Sequence, residues 1–232
     1  MIALELITET DRLCEFEPEW SAFTNTISPE TPFQTSTWLM TWWKYFGSGE
    51  PRVMVFRYGG RVVGVMPLFL HVWNGRRQLT LIGSGITDYL DPLFTPEWSS
   101  QIAVQIRREL QAWDDWDICD WQDLSVNTPL QALGALASDT PCSFVPIDRP
   151  FSVYLESRPK DLKRNLRRYK EKAEAIAPVT FDVARDAGDG LLSSLAKLHR
   201  ARWEKAGERG MIEANRSDQF LYAIGRYSLV GG

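Results

Sequence analysis

The chain has 232 residues, 44% of them hydrophobic and 24% charged, an ordinary composition for one large globular domain or two small ones. No run approaches the roughly 20 uncharged apolar residues of a membrane span. Met1–Thr10 carries Glu5 and Glu9 where a signal peptide would be basic. The formal charge of −4 divides unevenly: residues 1–150 hold 10 Lys/Arg against 19 Asp/Glu, and residues 151–232 hold 16 against 11. So acidic a chain is not a general nucleic-acid binder and no DNA partner is expected, although a local basic face is expected after residue 150. Cys14, Cys119 and Cys142 are odd in number, scattered and without a C-x-x-C pair, which points to reduced thiols, the cytoplasm and no metal site.

Ser36–Phe46 is the first helix the sequence announces, opened by the cap-capable Ser36 and closed at Gly47. Trp38 and Trp42 share one of its faces, and Leu39, Trp43 and Phe46 another. These aromatics read as core, with a sugar-stacking platform as the functional alternative. Arg52–Tyr58, Arg61–Trp73 and Arg76–Ile82 are β-rich runs joined by Gly59-Gly60 and Asn74-Gly75, pairs that supply the positive φ of tight hairpins. An antiparallel three-stranded meander follows, with a bulge or bend expected at Pro67. Tyr89–Phe94 adds a short strand. Thr95-Pro96-Glu97 caps a helix running to about Ala112, Trp116–Trp121 forms a strand, Thr128-Pro129 opens a short helix to about Ala137, and Ser143–Ile147 returns as a strand.

Asp148-Arg149-Pro150 breaks the pattern where the charge balance changes sign, which sets the expected division at 1–150 and 151–232. Beyond it the sequence predicts a strand over Phe151–Leu155, a basic helix over Pro159–Ala177, a strand over Pro178–Arg185, and helices over Ala187–Ala206 and Ser217–Val230, the last capped by Ser217. Two helices and about two strands do not close a layer, so the apolar faces of Leu191–Leu198 and Phe220–Val230 are expected to lack cover and to promote self-association.

Three groups of side chains stand out. Asp88, Tyr89 and Asp91 sit in Asp88-Tyr89-Leu90-Asp91-Pro92 after the meander, where two carboxylates and a phenol suit hydroxyls or an amine, or where Asp and Pro simply build a turn. Arg164 lies on the basic helix, which reads either as a solvated face or as a surface for an anionic ligand. His199 shares one helix face with Arg202 and Trp203; with only two histidines in the chain and no G-x-S-x-G elbow, it reads first as a packed, hydrogen-bonded histidine.

Pro32-Phe33-Gln34-Thr35-Ser36 leading into the tryptophan-rich helix, then Val63-Gly64-Val65-Met66-Pro67-Leu68, Gly85-Ile86-Thr87-Asp88-Tyr89-Leu90-Asp91-Pro92-Leu93, Lys163-Arg164-Asn165-Leu166-Arg167-Arg168 and Leu198-His199-Arg200-Ala201-Arg202-Trp203 occur in a telling order. Over about Phe33 to Phe220 this set resembles the CelD/BcsL-type acyltransferases, a FemAB-like branch of the GNAT superfamily. The resemblance implies an α/β (mixed) fold: a GNAT-like first domain with a largely antiparallel sheet flanked by helices, then a second GNAT-like lobe, here incomplete as though truncated. It also implies transfer of an acyl group from acetyl-CoA or another acyl-CoA to an amine or hydroxyl on a small-molecule or sugar-containing acceptor, in envelope or polysaccharide biosynthesis. Aminoacyl transfer from charged tRNA, as in Fem-type ligases, and a non-catalytic module of a polysaccharide-synthesis complex are the alternatives. The Q/R-x-x-G-x-G/A turn with which GNAT proteins hold the CoA pyrophosphate does not occur; Leu81-Ile82-Gly83-Ser84-Gly85 is the nearest glycine cluster. The chain itself is therefore expected to bind acyl-CoA weakly or not at all.

Overall fold

A computed structural model of the chain describes residues 1–29, 31–134, 139–181, 189–208, 210, 212 and 216–230. The fold is mixed α/β, with a mostly antiparallel six-stranded sheet flanked by helices. The chain divides into two compact units: one combines Met1–Ala135 with Asp186–Gly232, and the other is Leu136–Arg185. This division differs from the one drawn in the sequence at residue 150, because the last two helices belong with the N-terminal sheet.

The sheet of the larger unit is built on the two hairpins. β2 (Glu50–Tyr58), β3 (Arg61–Trp73) and β4 (Arg76–Leu81) pair antiparallel in succession. Gly59 and Gly60 have φ of 58° and 81°, and Asn74 and Gly75 have 50° and 76°, the doubly positive turns whose twist matches that of the flanking strands. β1 (Ala3–Ile7), which the sequence reading did not anticipate, adds antiparallel to β2. β5 (Leu93–Phe94) pairs with β3 at Gly64 and Val65, and β6 (Ile118–Cys119) runs parallel to β4.

The irregularity expected at Pro67 lies elsewhere. The register slips at Phe56/Arg57, opposite Val63, while Pro67 stays in register with Val53. Its missing N–H is harmless because the other edge of β3 is shared: β5 covers residues 64–65, β4 covers residues 68–73, and Pro67 falls in the gap, its carbonyl accepting from Ile82 N at 2.8 Å.

Helices cover both faces of the sheet. α1 (Thr10–Ile27), also unanticipated, buries Leu13, Phe16, Trp20 and Phe23 at helical spacing. α2 (Ser36–Phe46) sets Trp42 and Trp43 against Phe69. α3 (Ser99–Ala112) packs on the opposite face, where Gly64 allows its close approach: a Cβ at Gly64 would lie 2.7 Å from Ile102 Cδ1. With cover on both sides, Val53, Met54, Val55 and Phe56 are all 0% exposed. α6 (Asp189–Ala206) and α7 (Arg216–Val230) complete the unit. Phe220 stacks edge-on against Trp38 and Phe46 at 5.1 and 5.3 Å, and Arg200 on α6 pairs with Asp218 on α7 at 2.8 Å. On α6, Leu192 and Ala196 are buried while Leu191, Leu195 and Leu198 are exposed; Phe220 on α7 is buried, and the side chains of residues 227–230 lie outside the described residues.

Several caps and strands differ from expectation. Thr35, not Ser36, caps α2 by accepting from Trp38 N, and Ser36 is buried. Thr95 makes no cap; its hydroxyl donates to the Val63 carbonyl at 3.0 Å, tying the start of the α3 segment to the sheet. Trp116–Trp121 contracts to the two residues of β6, and Thr128 caps a 3-10 turn over Pro129–Leu133.

In the smaller unit, Phe151–Leu155 is not a strand but part of α4 (Phe151–Glu156), and the basic helix is α5 (Lys160–Glu174). Residues 143–147 and 178–181 are irregular, and 182–185 lie outside the described residues. A strand needs a neighbour for its backbone groups, and among the described residues of this unit there is none; a helix satisfies them internally.

Candidate functional site

The only parallel pair among the described strands, β4 with β6, determines where the loops after them meet. β4 ends at Leu81 and the chain turns through Gly83 (φ 110°) and Gly85 (φ 92°). A Cβ at Gly83 would lie 2.6 Å from Leu90 Cδ2 and 3.0 Å from Leu39 Cδ2, so only glycine lets the loop fold back onto its own plug, Leu90. Ser84 N donates to the Leu81 carbonyl at 3.2 Å, closing a tight turn after which no helix starts.

The loop from 83 to 92 is clamped from two sides. Trp38 Nε1 donates to Thr87 Oγ1 at 3.0 Å, and Gln34 Nε2 donates to the Asp91 carbonyl at 3.0 Å, both from the α2 side. From the segment after β6, Ser125 N donates to Asp91 Oδ2 at 2.9 Å, and Leu90 N donates to the Asp123 carbonyl at 2.8 Å. Thr87 and Leu90 are each 3% exposed, so this polar lacing sits in a low-dielectric setting where it holds geometry firmly. Asp91 thus anchors the loop through one oxygen, and its Oδ1 is buried without a hydrogen-bond partner among the described residues.

Asp88 and Tyr89 stand exposed at the crest, and Tyr89 takes the left-handed conformation at φ 62°. Asp123 faces them from the neighbouring loop, also left-handed at φ 59°. Partial burial pushes the Asp123 carboxyl above its ordinary value, and the negative charge of Asp88 pushes it further the same way. Two carboxylates within electrostatic reach and a phenol on a clamped loop can hold an ammonium or hydroxyl, and the raised Asp123 carboxylate can accept a proton. Sequence reasoning missed Asp123, because the parallel pairing of β4 and β6, not proximity in the chain, brings it to Asp88.

The other predicted side chains lie apart from this loop in the chain. Arg164 is on α5 of the smaller unit, exposed and paired with Asp161 at 2.9 Å. On α6, Trp203 Nε1 donates to His199 Nε2 at 2.9 Å, and His199 Nδ1 is buried without a hydrogen-bond partner among the described residues. Gly210 closes over the pair: a Cβ there would meet His199 Cε1 at 2.4 Å and Trp203 Cδ1 at 2.6 Å. Arg202 is exposed, its guanidinium 5.9 Å from the Trp203 ring. A nitrogen engaged by an indole is poorly placed to take a substrate proton. Among the described residues no group of three or more His, Cys, Asp or Glu is placed to hold a metal, and no helix is long and apolar enough to cross a membrane.

No family model matches the chain, and no curated protein sequence matches it. Among solved structures, one that it is similar to is an aminoglycoside acetyltransferase from an uncultured soil metagenomic sample, crystallised with sisomicin. That protein is 13% identical, with a TM-score of 0.36, and the likeness covers 64% of this chain and 97% of the other. A likeness so loose carries no argument about activity.

Proposed function

We propose that the Asp88–Asp123 loops form the acceptor side of a GNAT-type acyl transfer, in which an amine or hydroxyl of a sugar or envelope precursor receives an acyl group. Support comes from the ordered residue set that resembles the CelD/BcsL-type enzymes and from the mostly antiparallel sheet flanked by helices. The observation that carries the reading is the raised Asp123 carboxyl beside Asp88, on loops that leave the ends of the parallel pair β4 and β6. In this reading Asp88 and Tyr89 orient the acceptor, and Asp123 accepts the proton that the acceptor amine or hydroxyl gives up.

The described residues do not fit an acyl-CoA pyrophosphate. The turn after β4 closes on itself through Ser84 N and leads into no helix whose N-terminus would face the anion. No step is therefore assigned through acyl-CoA, and in this reading its donor site lies elsewhere in the enzyme. Three free thiols accord with a cytoplasmic setting.

Calorimetric titration with glucosamine and with acetyl-CoA tests the proposal. Glucosamine should bind, Asp88→Asn and Asp123→Asn should each weaken it at least about fivefold with melting temperature retained, and acetyl-CoA should bind weakly or not at all. Equal glucosamine affinity in the variants, or no binding by the parent chain, would leave these loops a purely structural turn. Salt-sensitive binding of charged tRNA in place of the aminosugar would transfer the site to a Fem-type reaction.

A further inference from the structure

The smaller unit presents a helix whose apolar side is exposed among the described residues. α5 is a 15-residue helix with Leu162, Leu166, Tyr169 and Ala173 at i, i+4, i+7 and i+11, one continuous stripe. Leu162, Leu166 and Tyr169 are 39%, 44% and 58% exposed, and Ile176 just beyond the helix is 88% exposed. Seven lysines and arginines share the helix with three acids, Asp161, Glu171 and Glu174. Two of the acids are already paired within the helix, Asp161 with Arg164 and Glu174 with Lys170.

The arrangement of the cations selects the partner. At 100° per residue, Lys163 and Lys170 lie seven apart along one border of the stripe, Lys163 Nζ donating to the Glu156 carbonyl at 3.3 Å and Lys170 beside Glu174, and Lys172 lies along the other. Long cationic side chains on both borders can lay their methylenes beside an apolar surface while their charges reach outward. An occupant apolar along its middle and anionic at its sides suits this face. A lipid surface with anionic headgroups provides this at any register, and the helix has the form of an interfacial segment rather than a spanning one.

We propose that α5 docks the protein onto anionic membrane surfaces, with Leu162, Leu166 and Tyr169 entering the headgroup–acyl boundary and the flanking lysines engaging lipid phosphates. The inference rests on α5 alone and stands whether or not the Asp88–Asp123 loops bind an acceptor.

Co-sedimentation of the full chain with phosphatidylcholine vesicles, with and without phosphatidylglycerol, tests it. The chain should partition onto the anionic vesicles and stay free of the neutral ones. Leu166→Glu, and separately Lys163→Glu with Lys170→Glu, should reduce partitioning about tenfold or more. Leu195→Glu, an exposed leucine on α6, should leave it unchanged and so controls for a general loss of apolar surface. Tryptophan fluorescence of each variant should match the parent, since ten tryptophans report the fold and none lies on α5. Failure to bind anionic vesicles, or equal binding by Leu166→Glu, overturns the proposal. A dimer in sedimentation velocity that Leu166→Glu makes monomeric, with no vesicle binding, would assign the stripe to a second copy of the chain instead.

Discussion

The sheet-bearing unit and the 136–185 segment have comparable shares of apolar residues to dispose of, and they dispose of them in opposite ways. In the first, Trp20, Phe56, Met54, Met66, Leu68 and Ile102 are all within 1% of complete burial, layered between helices on both faces of one sheet. In the second, none of the described residues from 139 to 181 is buried, and Phe144, Ile147, Phe151, Ile176 and Phe181 are more than two-thirds exposed. The difference is one of architecture. A strand buries its side chains by joining a layer that already exists, whereas an amphipathic helix forms its own backbone bonds and can stand with its apolar side open to whatever completes it.

The comparison makes its sharpest demand on stability. Trp20→Ala removes the largest fully buried side chain of α1 and should cost about 3–5 kcal/mol in urea denaturation. Ile176→Ser, in the coreless segment, should change stability by no more than about 0.5 kcal/mol. Similar losses from both would mean that the segment carries a core of its own.

Cysteine chemistry reads the same contrast at single atoms. Burial, assisted by the charge of Asp120, pushes the Cys119 thiol up to about 12, while Cys142 in the other region is exposed. With iodoacetamide at pH 8, Cys142 and the exposed Cys14 should alkylate and Cys119 should remain a thiol until denaturant is added, as mass spectrometry of the intact chain will show. Early labelling of Cys119 would indicate that the β6 edge opens readily.

The smallest expected effect is at Asp123. Its carboxyl is raised in the folded chain, so the native state holds the proton more tightly than the unfolded one. Stability contributed by that proton is complete below the ordinary carboxylate value and lost as pH rises through the folded one. Asp123→Asn removes this loss and preserves a residue that tolerates φ 59°. Its melting temperature relative to the parent should therefore climb by about 1–2 °C between acid and neutral pH, a figure kept small for solvent screening. A difference independent of pH would show that the Asp123 carboxyl is not raised in the folded chain.

What the sequence disclosed follows from how local each signal is. Gly59-Gly60 and Asn74-Gly75 encode their turns in two adjacent residues, and the meander was legible from them. α1 carried a legible spacing, Leu13, Phe16, Trp20 and Phe23, but Pro18 interrupts it in the interior, where proline normally ends a helix. Phe151–Leu155 alternates like a strand, yet alternation makes a strand only beside a partner, and the same residues equally fit a helical turn. Pro67 looked like a distortion because the handover from β4 to β5 along β3 belongs to the sheet rather than to the neighbourhood of residue 67. At the candidate site Asp88, Tyr89 and Asp91 were visible in one short run; Asp123, whose approach to them depends on the β4–β6 register, was not.

The seating of Phe220 between Trp38 and Phe46 has a consequence for the order of biosynthesis. Roughly 180 residues separate Phe220 from Trp38, and at about 5–20 residues per second a ribosome takes roughly 10–40 s to make them. For that interval the outer aromatic face of α2 has no lid, although the sheet beneath it has already been translated. A nascent chain in this condition offers a binding surface to holdase chaperones, and it keeps that surface until α7 emerges from the exit tunnel to close it.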